Sequence, residues 1–237
     1  MKLVHASITE NNNAGWDGNA VAGDQTGKEV CVVGWYSSPW DIMIRYPDKN
    51  VALKASSAAV KLANSNLVGY DQSERNTLYQ ALKENGFDID AYIKSGKKTE
   101  CDCSSFVYAV YACFVPAMRQ DGNAPTTVTM RRFYKNWGFK VSTKNEYLQG
   151  KNLEVGDIMV NETSHTAMVT NGLDNVSDTQ TVPVIEIPSF TPEVNLAINV
   201  LAYDVIRGKW GNGNERKEKL YVAIQTRVNE LVKAGTR

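Results

Sequence analysis

One segment constrains this chain more than any other. From Phe106 to Met118 every residue but Pro116 is apolar. A helix that is apolar all round needs cover on every side. The run is too short for a membrane span, which takes roughly 18 or more apolar residues. It therefore predicts a helix buried in the middle of a protein core. Asp102-Cys103-Ser104-Ser105, just upstream, supplies polar residues able to cap its start. The rest of the chain can provide the cover, since 43% of residues are hydrophobic and 22% charged. That balance excludes disorder throughout. At 237 residues the length fits one large domain, or one domain and a small module.

The flanking segments predict the surroundings of this helix. Strands are expected over residues 1–10, Glu29–Tyr36 and Ile42–Tyr46, with an Asn- and Gly-rich loop, Asn11–Gly27, between the first two. Asn50–Asn64 and Ser73–Asn85 carry helical periodicity, and Thr126–Trp137 suits a further helix ended by Gly138. Asp157–Val160, Thr166–Thr170 and Val182–Ile187 read as strands. Strands, then helices, then strands make an α+β pattern rather than alternating βαβ. Pro183, Pro188 and Pro192 punctuate the stretch up to Glu193, and residues beyond Asn195 turn helical. We place a domain boundary near Pro188–Glu193, giving domains of 1–190 and 191–237. Charge divides the same way. The chain has 26 basic and 26 acidic residues, but residues 195–237 carry a net +4 and the remainder −4. Zero net charge excludes a dedicated nucleic-acid binder. The N-terminus turns polar almost at once, so the expectation is synthesis in the cytoplasm without a signal peptide.

Chemistry has few places to reside. The chain has two histidines, His5 and His165, and four cysteines, Cys31, Cys101, Cys103 and Cys113. Four cysteines are too few for a disulfide scaffold. Cys101 and Cys103 are too close for the usual zinc pair, so no metal and no cofactor is expected; a Cys31–Cys101 disulfide stays open. Cys103 stands at the start of the buried helix, where unpaired N–H groups and the helix dipole favour an anion. The expectation is a nucleophilic thiol of lowered pKa. A thiol nucleophile needs a base, and His165 begins a predicted strand, where it can face a cleft.

These residues carry a resemblance. Asp102-Cys103-Ser104-Ser105-Phe106-Val107, followed by Gly156-Asp157 and then His165-Thr166-Ala167-Met168-Val169, resembles the NlpC-type papain-like cell-wall peptidases, and more narrowly their phage peptidoglycan amidohydrolases. It covers roughly residues 60–172. Ser105 departs from the glycine usual in cellular members. The resemblance implies an antiparallel sheet with helices, Cys103 as nucleophile and His165 as base. The family's third polar residue normally follows the base, and nothing of that kind follows His165. Leu3-Val4-His5-Ala6-Ser7, with Tyr36-Ser37-Ser38-Pro39-Trp40 and Arg45 after it, resembles the end of such a domain. We therefore expect a circular permutation in which His5 polarises His165. Tyr70, with Asp71, Asp102 and Ser104, is expected to line the substrate. Asp24 and the segment Asn123–Thr126 are loop candidates that turn chemistry would equally explain.

The C-terminal segment carries a second resemblance. Val205 to Lys217, followed by Ile224 to Leu231, is similar to the CW-seven wall-binding repeat of phage lysozymes, a three-helix module, over about residues 194–233. It implies binding of muropeptide. Trp210, flanked by glycine and lysine, with Arg207, Asn212 and Arg216, is expected to contact the wall. The two resemblances imply a lysin whose partner is bacterial peptidoglycan. The bond cut is the γ-D-glutamyl–diamino acid link or the muramoyl–L-alanine link. A thiol acyltransferase and a non-catalytic wall-binding protein are the other classes open.

Overall fold

The computed structural model describes residues 1–120, 123–171 and 222. The chain divides into two units, Met1–Asn175 and Val176–Arg237. The expected strand Val182–Ile187, the Pro188–Glu193 boundary and the wall-contact residues Arg207, Trp210, Asn212 and Arg216 lie outside the described residues.

The described residues are mixed α+β. In chain order they run β1 (Lys2–Ala6), β2 (Val30–Gly34), β3 (Ile42–Arg45), α1 (Lys49–Ser65), β4 (Val68–Tyr70), α2 (Thr77–Glu84), α3 (Ile89–Ser95), β5 (Thr99–Cys101), α4 (Cys103–Ala112), α5 (Thr127–Asn136), β6 (Lys140–Ser142), α6 (Asn145–Leu148), β7 (Ile158–Asn161) and β8 (His165–Thr170). The main sheet is antiparallel, in the order β2-β1-β8-β7-β3-β6. β4 and β5 form a separate parallel pair.

Strand periodicity explains the layers. Side chains alternate between the faces of a sheet. Val4, Ala6, Val30, Ile42, Ile44, Ile158, Val160 and Met168 pack with α1 and α4 in the larger core. Their neighbours Leu3, Met43, Met159, Ala167 and Val169 face the other way, into a smaller cluster with Trp40. The helix predicted from the apolar run is α4, and all ten of its residues are buried. Asp102 caps it, accepting from the Ser105 N–H at 2.7 Å while the Ser105 hydroxyl accepts from the Asp102 N–H at 2.8 Å. α2 begins at Thr77 rather than Ser73, because Asp71 to Asn76 are occupied by turns and side-chain hydrogen bonds. β4, α3, β5, β6 and α6 were not anticipated. Each has seven residues or fewer, too few for a periodicity to stand out.

Two contacts tie the late hairpin to the sheet and helices. Arg45 on β3 holds Asp157 through two hydrogen bonds, Nε to Oδ1 at 2.7 Å and Nη2 to Oδ2 at 2.5 Å. Gly156 turns at φ +90° with the Ala52 carbonyl 2.6 Å from where a Cβ would sit. Only glycine permits that conformation at that approach.

Candidate active site

The two histidines, 160 residues apart in sequence, meet. β1 pairs with β8, and the His5 Nδ1 lies 3.2 Å from the His165 Nε2. The Tyr36 hydroxyl, just beyond β2, completes a triangle at 3.1 Å from His5 Nδ1 and 3.0 Å from His165 Nε2. Trp40 lies nearly parallel over the His165 ring, with centroids 6.2 Å apart and planes 29° apart. Burial pushes both imidazoles down to about 4, and for His165 the nearby His5 adds to it.

Cys103 opens α4, the helix that packs against β8 and β1, the strands carrying the two histidines. The β1–β8 pairing ends at Val4 opposite Met168, although β8 begins at His165. The Val169 N–H bonds back to Asp157 on the β7 side, at 2.7 Å. Along a strand these directions alternate, so the Thr166 N–H points the other way, toward β1. The Thr166 N–H is one of the groups that favour the Cys103 thiolate. The first residue of α4 thus sits beside the strand position that follows His165. Both hydrogen bonds that the described residues give His165 use Nε2. Nδ1 is the ring nitrogen left for another partner.

The expected lowering of the Cys103 pKa is corrected. Burial, with the neighbouring Asp102 charge, pushes this thiol up to about 12. The Thr166 and Ser104 N–H groups and Arg75 act in the opposite direction but do not prevail. Desolvation outweighs the helix start because Cys103 is buried, at 7% residue exposure. Burial thus favours the uncharged forms of the thiol and of both imidazoles. Cys31, Cys101 and Cys113 are free as well, so no Cys31–Cys101 disulfide is present.

Of the four expected substrate-lining residues, Tyr70 and Asp71 lie along Cys101 and Asp102 and Ser104 flank Cys103, with their polar atoms bonded to the protein. Tyr70 is buried and donates its hydroxyl to the Ala14 carbonyl at 2.8 Å. Asp71 is hydrogen-bonded to Ser73. Asp102 and Ser104 share a clamp that sequence reasoning missed. Arg75 donates from Nε to Asp102 Oδ2 at 2.5 Å and from Nη2 to Ser104 Oγ at 2.9 Å. It also reaches the Ala124 and Pro125 carbonyls. No motif marks Arg75, because its partners come from two distant segments. Tyr36 and Trp40 bound the Tyr36–Trp40 stretch, but nothing in the sequence singles them out from it. Asp24 is turn chemistry: Oδ1 accepts from Thr26 and Gly27 at 2.9 and 2.6 Å, and Oδ2 from Glu29 at 3.1 Å. Among the described residues no group of three or more His, Cys, Asp or Glu could hold a metal ion. Among them, too, no helix is long and apolar enough to cross a membrane.

A family model described as an endolysin-like domain matches residues 3–175, and one described as a CW_7 repeat matches residues 199–232. No curated protein and no solved structure matches the chain. The first match spans the whole sheet and both histidines. The chain belongs to the endolysin-like domain family, and it joins a lytic cell-wall domain of that kind to a wall-binding CW_7 repeat.

Proposed function

We propose that the protein is a cysteine amidohydrolase of peptidoglycan, papain-like and NlpC-type in its catalytic domain, with the end of that domain permuted to the N-terminus. The observation that carries this reading is the triangle of His5 Nδ1, His165 Nε2 and Tyr36 Oη beside a helix-start thiol. Two proton relays satisfy all three atoms, and catalysis uses the one that leaves His165 Nδ1 unprotonated. The His165 Nε2–H donates to Tyr36, and the Tyr36 hydroxyl donates to His5 Nδ1. That tautomer leaves a lone pair on His165 Nδ1 to act as base.

The thiol Sγ of Cys103 then attacks the amide carbonyl carbon while its proton passes to His165. The imidazolium so formed is held by Tyr36 and His5, as a triad holds its central histidine. The oxyanion rests on the Cys103 backbone N–H and a neighbouring donor. Collapse breaks the C–N bond, and His165 returns the proton to the leaving amine. Water resolves the thioacyl enzyme, with His165 again as base. Tyr70, Asp71, Asp102 and Ser104 frame the cleft wall and hold the start of α4. The bond we favour is the γ-D-glutamyl–diamino acid link, with the muramoyl–L-alanine link as the alternative. Arg207, Trp210, Asn212 and Arg216 in the repeat bind the wall. The protein is made in a host cytoplasm and acts on the wall after release.

The test is mass spectrometry of peptidoglycan digested by wild type and by Cys103→Ala. New diamino-acid N-termini identify the endopeptidase, and new free L-alanine N-termini the amidase. Wall cleavage that persists in Cys103→Ala refutes the nucleophile.

A further inference from the structure

We infer that Trp16 is a stacking platform for a sugar ring of the glycan strand, set beside the cleft by the loop that follows β1. This rests on the reading of the protein as a wall hydrolase.

Trp16 is 74% exposed. Scattered exposed apolar side chains are ordinary, but this one is held in place on both sides. Asp17, itself buried, accepts from the Thr9 hydroxyl at 2.8 Å, the Asn11 amide at 3.0 Å and the Asn19 N–H at 3.1 Å. The Asn13 amide donates to the Trp16 carbonyl at 2.8 Å, and its oxygen accepts from the Gly15 N–H at 2.9 Å. The backbone under the indole is therefore fixed while the ring stays in solvent. A preorganised aromatic plate loses little entropy when a ligand covers it.

Its position points to the same substrate as the cleft. The Ala14 carbonyl, two residues before Trp16, accepts from the Tyr70 hydroxyl and the Gln72 amide, each at 2.8 Å. Tyr70 pairs with Cys101, two residues before Cys103. Two residues of chain span at most about 7 Å, so the Trp16 backbone lies within that reach of the carbonyl that Tyr70 holds.

The surroundings decide the ligand class. Asn11, Asn12, Asn13, Ala14 and Gly15 precede the ring, and the one charged neighbour, Asp17, is buried and engaged. An indole face with uncharged amides around it suits a pyranose. The ring's C–H face packs on the indole, and the exposed Asn12 and Asn19 amides bond hydroxyl and acetamido groups. A charged stem peptide would call for opposing charges, and this loop segment presents none.

Indole 15N–1H spectra of the full-length Cys103→Ala chain test the proposal without turnover. The Trp16 signal is identified by its loss in Trp16→Phe. Titration with a peptide-free glycan tetrasaccharide should shift that signal saturably, and a glycan-free stem peptide should not. No shift at millimolar tetrasaccharide, a shift of the Trp210 signal alone, or a shift caused by the stem peptide instead would overturn it. In the active chain, Trp16→Ala should raise the half-saturating wall concentration about tenfold, and Trp16→Phe should largely restore it. If the tetrasaccharide shifts Trp16 but Cys103→Ala still cleaves the wall, the sugar platform stands and the cysteine mechanism falls.

Discussion

Replacing Arg45 by methionine tests how the histidine-bearing hairpin is held. The guanidinium makes two hydrogen bonds to Asp157, and Nη1 and Nη2 reach Glu154 and the Asn152 carbonyl at 3.2 and 3.1 Å. Asp157 is 1% exposed and keeps only the Glu154 N–H, at 2.7 Å, once the guanidinium is gone. Methionine preserves most of the stem's packing, so the loss is chiefly that of the charge partner. Breaking a buried pair by removing one member costs about 3–5 kcal/mol. For a unit of this size each kcal/mol lowers the midpoint by roughly 2–4 °C, so the expected drop is about 6–20 °C. Thermal unfolding followed by tryptophan fluorescence reads it, since Trp16, Trp35, Trp40 and Trp137 lie in residues 1–175. Adding Asp157→Asn removes the stranded charge and should recover about half of the loss. A cost below ~1 kcal/mol, or no recovery from Asp157→Asn, would show that Asp157 does not depend on Arg45, and the argument from burial would fail.

Two further outcomes concern pH. Because burial holds His165 at about 4, the acid limb of kcat/KM should fall near pH 4–5 rather than near the ordinary imidazole value of about 6.5; a limb between pH 6 and 7 in a profile from pH 3.5 to 8 would contradict it. Glu100 is 2% exposed, its Oε2 finds no hydrogen-bond partner among the described residues, and burial with neighbouring Glu29 pushes its carboxyl up to about 8. Its folded pKa lies above the unfolded one of about 4.3, so the native state holds the extra proton. The stability it contributes is complete below pH 4 and is lost as pH rises through 8. Glu100→Gln should therefore be more stable than wild type at pH 9, and equal midpoints of the two proteins from pH 5 to 9 would refute this.

The sequence was most legible where a side-chain pattern is long or chemically rare. The apolar run from Phe106 could only be a covered helix, and α4 is one. Scarcity made the histidines legible: with two in the chain, an imidazole pair had to be His5 and His165, and they lie 3.2 Å apart. Short elements such as β4 and β5 escaped notice because three residues carry no period. Arg75 escaped because its meaning lies in contacts with Asp102 and the Ala124 and Pro125 carbonyls, which only the folded chain brings together. The thiol's pKa was misjudged for a related reason. A helix start can be read from sequence, but the degree of desolvation at that start cannot.

The seam between β1 and β8 has a consequence for synthesis. It joins residues 2–4 to residues 168–170. A growing chain exposes the Cys103 segment and His5 long before it has any His165 to set against them. At roughly 5–20 residues per second, the ribosome leaves the thiol without its partner for several seconds. Closure across so long a separation is also slow. On the proposed mechanism, the site is complete only once β8, the last strand among the described residues, is in place.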